Sequence, residues 1–191
     1  MTSPVARRPI HKRAVTFDVY EREDGLIDVE CTVQDSKPFA YPDRDRGVIP
    51  PGGFIHDIAC TLTADGEGLV NAVAVTMRDR PYDMCEGSTA AAQGLVGRSL
   101  TRGWRKALAE ILGGTCGCTH LREMLGSAPT AFIQATTALR QMQRIARGEG
   151  QYEGEKPYWI GGCHTWAEGT PVTERFLAAH PRHRDDGHTR S

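Results

Sequence analysis

Two thiols and an imidazole fall within five residues in the stretch Cys116-Gly117-Cys118-Thr119-His120. Thiolates and imidazoles are ligands that zinc and ferrous iron accept, and a thiolate is also a nucleophile. Apolar residues then recur at three- and four-residue steps, which predicts a helix from about His120 to Arg147 with a kink at Pro129. With Thr119 as N-cap, Cys118 lies beside a helix N-terminus, whose partial positive charge favours a thiolate. This stretch therefore predicts a metal or thiol site.

A purely structural interpretation is the alternative for the same residues. Free cysteine is among the most buried residue types, so Cys116 and Cys118 would be small core residues and His120 would bond a carbonyl. A single Cys-x-Cys-x-His is weaker evidence for zinc than paired Cys-x-x-Cys motifs, which the sequence lacks.

Three further residues are candidates for the same site. In a strand predicted over 54–63, His56 shares a face with apolar residues and Asp57 points the opposite way, but a bulge at the loop end would turn both toward one pocket. Cys85 precedes Ser88, the predicted cap of a small-residue helix. The predicted metal ligands are Cys85, Cys118, His120 and Asp57, and the predicted acid-base groups are His56 and Asp57. The predicted substrate-binding residues are Arg46, Tyr82 and Trp104.

The elements that must position these groups are two hairpins followed by helices. Alternating apolar residues and glycine-containing turns predict hairpins over residues 14–33 and 54–77. Helical patterns cover 88–96, 101–112, 120–147 and, near the end, 172–179. The predicted fold is α+β, with an antiparallel sheet of two hairpins packed against three C-terminal helices. A disordered basic tail is predicted over 1–13, one α+β domain over 14–165, and a short helix with a disordered tail over 166–191.

Composition limits the classes of function. With 23 basic and 24 acidic residues, the chain offers no electrostatic basis for binding nucleic acid or a membrane surface. No apolar run reaches the ~20 residues of a membrane helix and no signal segment opens the chain, so a cytoplasmic protein is expected. Six cysteines are then expected to be reduced, and no motif for a nucleotide cofactor is found. The sequence leaves open whether the protein forms a homo-oligomer.

Several of these motifs together resemble one bacterial family. They are His56-Asp57, Leu62-Thr-Ala-Asp-Gly, Cys85, Gly97-Arg-Ser-Leu-Thr-Arg-Gly-Trp104 and Gly117-Cys-Thr-His-Leu121. The succession, over about residues 14–165, resembles the domain of unknown function numbered 2889. This resemblance implies no established activity.

A more distant resemblance is to the IscU/SufE-like fold, whose IscU-like members are scaffolds for iron-sulfur cluster assembly. That family has Cys-Gly-Asp on its first hairpin, a cysteine after the second strand, and His-Cys before the last helix. By position, the resemblance implies ligand roles for Asp57, Cys85, Cys118 and His120. Phe54-Ile-His56-Asp57 stands in place of Cys-Gly-Asp, and Cys118-Thr-His120 reverses and spaces the terminal pair. A mononuclear site fits these departures better than a cluster.

The function expected from these parts is a metal-dependent enzyme that holds one zinc or iron ion. A lyase or hydrolase acting on a small substrate, an aromatic compound or a carboxylic acid, fits best. One alternative is a non-catalytic metal or iron-sulfur carrier, or an interaction module with a structural metal, to which Cys163-His164 would add ligands. Another is a metal-free thiol enzyme with Cys118 or Cys85 as nucleophile and His120 or His56 as base, although Cys118 and His120 are awkwardly spaced for it.

Overall fold

The structure is a computed structural model that describes residues 5–149, 157 and 159–179. The chain divides into two compact units, Met1–Thr136 and Thr137–Ser191. Among the helices of the described residues, none has the length and apolar character required to cross a bilayer.

The first unit contains a four-stranded antiparallel sheet. Its strands follow the order β1-β2-β5-β6, where β1 is Lys12–Glu21, β2 is Ile27–Ser36, β5 is Phe54–Ala64 and β6 is Val70–Asp79. Both predicted hairpins are confirmed, and β5 pairs with β2 as well as with β6. The segment predicted as a loop over 42–53 includes a small hairpin of β3 (Tyr41–Asp43) and β4 (Gly47–Ile49). Strand β1 begins two residues before the expected start of order at Ala14.

One face of this sheet forms the core. Alternate residues of β2 and β5 are buried there, because side chains in a strand point to opposite faces in turn. They are Ile27, Val29, Cys31 and Val33 on β2, and Ile58, Cys60, Leu62 and Ala64 on β5. In β2 the next residue on this buried face is Asp35, and its partner in the β2–β5 register is His56. The apolar face thus ends in a polar pair.

The helical elements follow the sheet in the chain. A long 3-10 segment covers Asp83–Leu95, α1 is Trp104–Leu112, and a 3-10 turn at Gly114–Cys116 leads to α2, Thr119–Leu125. The 83–95 segment contacts β6, and α2 contacts β2 and α1. Helix α3 is Ala128–Ala146 and α4 is Pro171–Ala179. The α+β class and the antiparallel sheet are confirmed.

The helix predicted as one kinked unit over 120–147 is two helices. Helix α2 ends at Leu125, and Ser127 accepts a hydrogen bond from the backbone N–H of Thr130 as α3 begins. Pro129, the second residue of α3, lacks a backbone donor, which is tolerated in the first turn of a helix. The N-cap of α2 is Cys118, and the expected cap Thr119 is its first helical residue. The tail predicted over 166–191 contains α4, and its last twelve residues lie outside the described residues.

Candidate metal centre

A buried carboxylate lies at one end of the core face. The side chain of Asp35 is only 2% exposed. Because Asp35 and His56 are partners across β2 and β5, both side chains project from the same face, and His56 Nδ1 lies 3.2 Å from Asp35 Oδ2. That nitrogen is buried and has no hydrogen-bond partner. Its separation from Asp35 is short, but its alignment does not fit a hydrogen bond.

Helix α2 brings a second imidazole to the same carboxylate. His120, in the first turn of α2, places its Nε2 3.9 Å from Asp35 Oδ2. The His56 and His120 rings lie side by side, with centroids 3.9 Å apart and planes tilted by 34°. Within the described part of the chain, Asp35, His56 and His120 form a group whose ligand atoms all lie within 4.8 Å of one another.

Two basic residues also hold the carboxylate, Arg13 in β1 and His11 just before that strand. Arg13 donates from Nε to Oδ1 at 2.8 Å and from Nη2 to Oδ2 at 2.9 Å, and His11 Nε2 is 3.1 Å from Oδ1. Burial raises the pKa of Asp35, but the hydrogen bonds and the positive charge of Arg13 outweigh burial and lower that pKa overall. Asp35 is therefore an anion at neutral pH.

Both histidines of the group are held neutral. Burial lowers the pKa of His56, and the neighbouring His120 lowers it further, while attraction to Asp35 only partly offsets them. Burial and the positive charge of Arg13 likewise lower the pKa of His120. Neutral imidazoles and an ionised carboxylate are the protonation states that a metal ion requires of its ligands.

The spacing of the three ligand atoms fits a single small ion. Ligand atoms about 2.0–2.2 Å from a tetrahedral ion are separated from one another by about 3.4 Å. The two distances from Asp35 Oδ2, 3.2 Å to His56 and 3.9 Å to His120, bracket this value. The two histidine nitrogens lie within 4.8 Å of each other, so side-chain shifts would close the group around an ion.

A cavity of about 330 Å³ adjoins the two histidines. Its walls are His56, Ile58, Met77, Arg80, Pro81, Tyr82, Cys85, Cys118 and His120. The cavity therefore joins four residues predicted from the sequence as ligands or catalytic groups, His56, Cys85, Cys118 and His120. Tyr82, predicted to bind substrate, is also in its wall.

Cys118 lies against the far side of the His120 ring. Its Sγ is 3.8 Å from His120 Nδ1, within the range of a hydrogen bond to sulfur. The two residues meet because Cys118 is the extended N-cap residue of α2 and His120 is inside the helix. The spacing that looked awkward in the sequence is thus compatible with contact.

The structure does not bring three other predicted residues to the cluster. Asp57 points to the opposite face of β5, because neighbours in a strand alternate, and accepts two hydrogen bonds from Arg78 at 2.9 and 3.0 Å. The predicted metal and catalytic roles of Asp57 are therefore corrected. Arg46 bonds Asp79 and the carbonyl of Phe54. Trp104 is buried and donates its indole N–H to the carbonyl of Leu125 at 2.7 Å.

Asp35 is the residue that the sequence predictions missed. In the sequence it reads as part of the polar end Gln34-Asp35-Ser36 of a strand. The sequence does contain a signal for its burial, because Asp35 continues the alternating series of apolar residues Ile27, Val29, Cys31 and Val33. A carboxylate in the buried phase of a strand requires a partner or a ligand.

The family model described as "Protein of unknown function (DUF2889)" matches residues 11–134. The chain belongs to this family. The family region includes Asp35, His56, His120 and every wall of the cavity, so the whole candidate centre lies within it. No curated protein and no solved structure matches the chain, so the likeness to iron-sulfur scaffolds stays a prediction.

Proposed function

We propose that this protein binds one zinc or ferrous ion through Asp35, His56 and His120 and acts as an enzyme on a small organic substrate. The observation that carries the proposal is the convergence of one carboxylate and two neutral imidazoles beside a cavity. Two histidines and a carboxylate are a ligand set that both ions accept with positions left for a substrate.

The chain's own residues have separate tasks in this proposal. Arg13 holds Asp35 ionised and fixes its orientation, as outer-shell partners of metal ligands do. Cys118 fixes the ring of His120 from its far side. A bound ion would supply Lewis-acid chemistry, by polarising an oxygen of the substrate. The apolar walls of the cavity would exclude water, and a hydrolase or a lyase fits these parts.

Elemental analysis of the purified, untagged chain tests the proposal. We expect near-stoichiometric zinc or iron in the parent protein and loss of most of this metal in His56→Ala and His120→Ala. Removal of a ligand should cost more than the roughly 10- to 100-fold in metal affinity that is lost when a ligand's hydrogen-bond partner is removed. His164→Ala is the matched control, because His164 is exposed and belongs to the second unit. If His56→Ala and His120→Ala retain as much metal as His164→Ala, the proposed centre is wrong.

A thiol enzyme without metal is the second candidate. It is favoured by the sequence of contacts from Cys118 Sγ to His120 Nδ1, at 3.8 Å, and from His120 Nε2 to Asp35 Oδ2, at 3.9 Å. A nucleophile, a base and an orienting carboxylate are the parts of a thiol enzyme. Two results together would favour this candidate. The purified protein would contain no metal, and Cys118 would react with an alkylating reagent much faster than the exposed Cys116.

The identity of the metal ligands distinguishes the carrier hypothesis from the metal enzyme and from the thiol enzyme. A carrier or structural-metal module predicts a closed site that uses Cys85 and Cys118, as the IscU-like resemblance implies. Under the enzyme proposal, Cys85→Ser and Cys118→Ser retain bound metal, because neither thiol is among the three ligands. Loss of metal in both serine variants would favour the carrier.

A further inference from the structure

The cavity beside the candidate centre presents an almost purely apolar surface, although several of its walls carry polar side chains. Ile58, Met77 and Pro81 are apolar residues, and the other walls are His56, Arg80, Tyr82, Cys85, Cys118 and His120. Almost none of the nitrogen and oxygen atoms of these residues is exposed within the cavity. A ligand there would therefore meet carbon and sulfur, and few hydrogen-bonding groups.

Arg80 offers the cavity its aliphatic stem and not its charge. Nη2 pairs with Glu86 at 2.9 Å and with Asp83 at 3.7 Å, and Nη1 donates to the carbonyl of Met77 at 3.3 Å. Asp83 lines a separate, polar pocket that Arg80 also borders. Long basic side chains cover apolar surface with their methylene groups while the charged head stays with polar partners. The guanidinium is thus paired with acidic residues that are not walls of the cavity.

The imidazole nitrogens are directed to neighbouring side chains. His56 Nδ1 is buried 3.2 Å from Asp35 Oδ2. His120 Nε2 lies 3.9 Å from the same oxygen, and His120 Nδ1 lies 3.8 Å from Cys118 Sγ. The two rings therefore contribute mainly carbon atoms to the cavity surface. This conclusion depends on the positions of the atoms and not on the protonation of the rings.

The volume of the cavity limits the size of its ligand. The cavity measures about 330 Å³, whereas an apolar protein cavity of ~150 Å³ is large enough to bind benzene. A body of about one or two fused rings would fill the larger volume. A charged group would lose its water there without gaining a partner, and this loss is costly. The cavity therefore discriminates in favour of uncharged molecules.

We propose that the substrate is an uncharged molecule whose apolar body, of about one or two rings, lies against Ile58, Met77 and Pro81. This inference rests on the proposed function, since it names the substrate class of the same centre. Of the substrates expected from the sequence, it favours the aromatic compound over the carboxylic acid. A hydroxyl or carbonyl group of the molecule would supply the oxygen that the proposed ion polarises.

Ligand-observed NMR titration of the full chain tests this assignment. Benzyl alcohol, benzoate and benzylamine are probes of similar size that differ in charge, and indole is a larger neutral probe. The decisive titrations are made after metal removal, because zinc itself attracts a carboxylate. We expect benzyl alcohol to bind at least roughly tenfold more tightly than either charged probe, because a charge finds no partner in the cavity. Indole should bind more tightly still, because it buries more apolar area.

Two results of these titrations would overturn the inference. One is that neither benzyl alcohol nor indole binds to the metal-free chain. The other is that benzoate or benzylamine binds as tightly as benzyl alcohol.

The free thiols of the chain locate the bound probe without any substitution. Cys85 is a half-buried wall of the cavity, whereas Cys116 and Cys163 are exposed and are not walls of it. Indole at about ten times its Kd should slow alkylation of Cys85 by about tenfold, because only the unoccupied protein would react. Alkylation of Cys116 and Cys163 should keep its rate. An unchanged rate at Cys85 would show that indole binds elsewhere and would overturn the inference.

A cavity-filling variant is a second test of location. Cys85→Trp should weaken indole binding by more than roughly tenfold, because the larger side chain takes up volume that the ligand needs. Cys116→Trp, the same change at an exposed thiol, should bind indole as the parent protein does. Indole binding of equal strength in the two variants would contradict the inference.

The outcomes separate this inference from the metal proposal. If the purified protein contains no metal but neutral probes bind and protect Cys85, the inferred ligand class stands and the metal proposal fails. If the protein holds metal through His56 and His120 but its metal-free form does not prefer neutral probes, the metal proposal stands and this inference is overturned.

Discussion

Cys31 and Cys60 face each other across β2 and β5 in the core, and both are free thiols. Burial raises the pKa of Cys60 from 9.0 to about 12, and burial together with Cys60 raises that of Cys31 even further. The folded protein therefore keeps protons that the unfolded chain releases above about pH 9. In this pH range the free energy of unfolding falls as pH rises, until the folded thiols also ionise.

The expected loss is about 1.4 kcal/mol per thiol at one pH unit above the unfolded pKa. Urea unfolding between pH 8 and pH 10.5 should therefore show a smaller decline for Cys60→Ala than for the parent protein. Cys116→Ala, at an exposed thiol, should keep the parent slope. Equal slopes for Cys60→Ala and Cys116→Ala would show that the buried thiols do not govern alkaline stability.

Single residues were predictable where strand phase alone decides their direction. Alternation correctly placed His56 on the apolar face with Ile58 and Cys60, and placed Asp57 opposite. The expected bulge does occur, as a register shift between Asp57 and Ile58, but Asp57 stays paired with Arg78. The candidate ligand role of Asp35 was missed because it depends on His56 in β5 and His120 in α2, which are distant in sequence.

At the scale of elements, Gly117 determines how closely the start of α2 approaches the end of α1. Its backbone angles, φ −146° and ψ −173°, suit any residue. A Cβ there, however, would lie 2.8 Å from Leu112 Cα and 2.9 Å from Leu112 Cδ2. Glycine is required because of this contact. The close approach of Gly117 to Leu112 also sets the positions of Cys118 and His120, which follow Gly117 in the chain.

Gly117→Ala should therefore destabilise the protein by about 1–3 kcal/mol, the usual cost of overpacking, and weaken metal binding by displacing His120. Gly87→Ala is the matched control, because a Cβ at Gly87 meets nothing within 4 Å; its effect should stay within about 0.5 kcal/mol. Thermal unfolding and zinc titration measure the two effects. An equal response of both variants would remove the steric explanation.

Element boundaries show what a local pattern can predict. The strands were predictable because alternation and turn glycines agree over each hairpin. The break between α2 and α3 was missed because an apolar helical period continues through Gly126 and Ser127. The start of the 3-10 segment at Asp83, before the predicted cap Ser88, was missed because the period of an α-helix does not detect 3-10 geometry.

At the scale of the whole molecule, the candidate centre belongs to one compact unit. Asp35, His56, His120 and the cavity walls all lie within Met1–Thr136, and the family match over 11–134 covers the same part. The α+β class was predictable from the order of strand and helix patterns. The identity of the ligand set was not, because it depends on three elements meeting in space.

A chain that ends after residue 147 retains all of α3 and every residue of the candidate centre. We expect this shorter chain to bind the same equivalents of zinc or iron as the full chain, as measured by elemental analysis. The same shorter chain with His120→Ala is the control and should lose its metal. A shorter chain that keeps its circular dichroism spectrum but binds no metal would show that residues 148–191 supply a ligand.

The pairing of Asp35 with His56 across two strands also bears on when the proposed ion would bind as this chain folds. The three proposed ligands are separated by 21 residues (35 to 56) and 64 residues (56 to 120). In the unfolded chain, bringing them together would require closing both loops before any contact repays the entropy. We therefore expect the proposed ion to bind after sheet and helix have met, because only the folded chain holds the three ligands together. We accordingly expect a chelator to remove the proposed ion and to leave the circular dichroism spectrum of the chain unchanged.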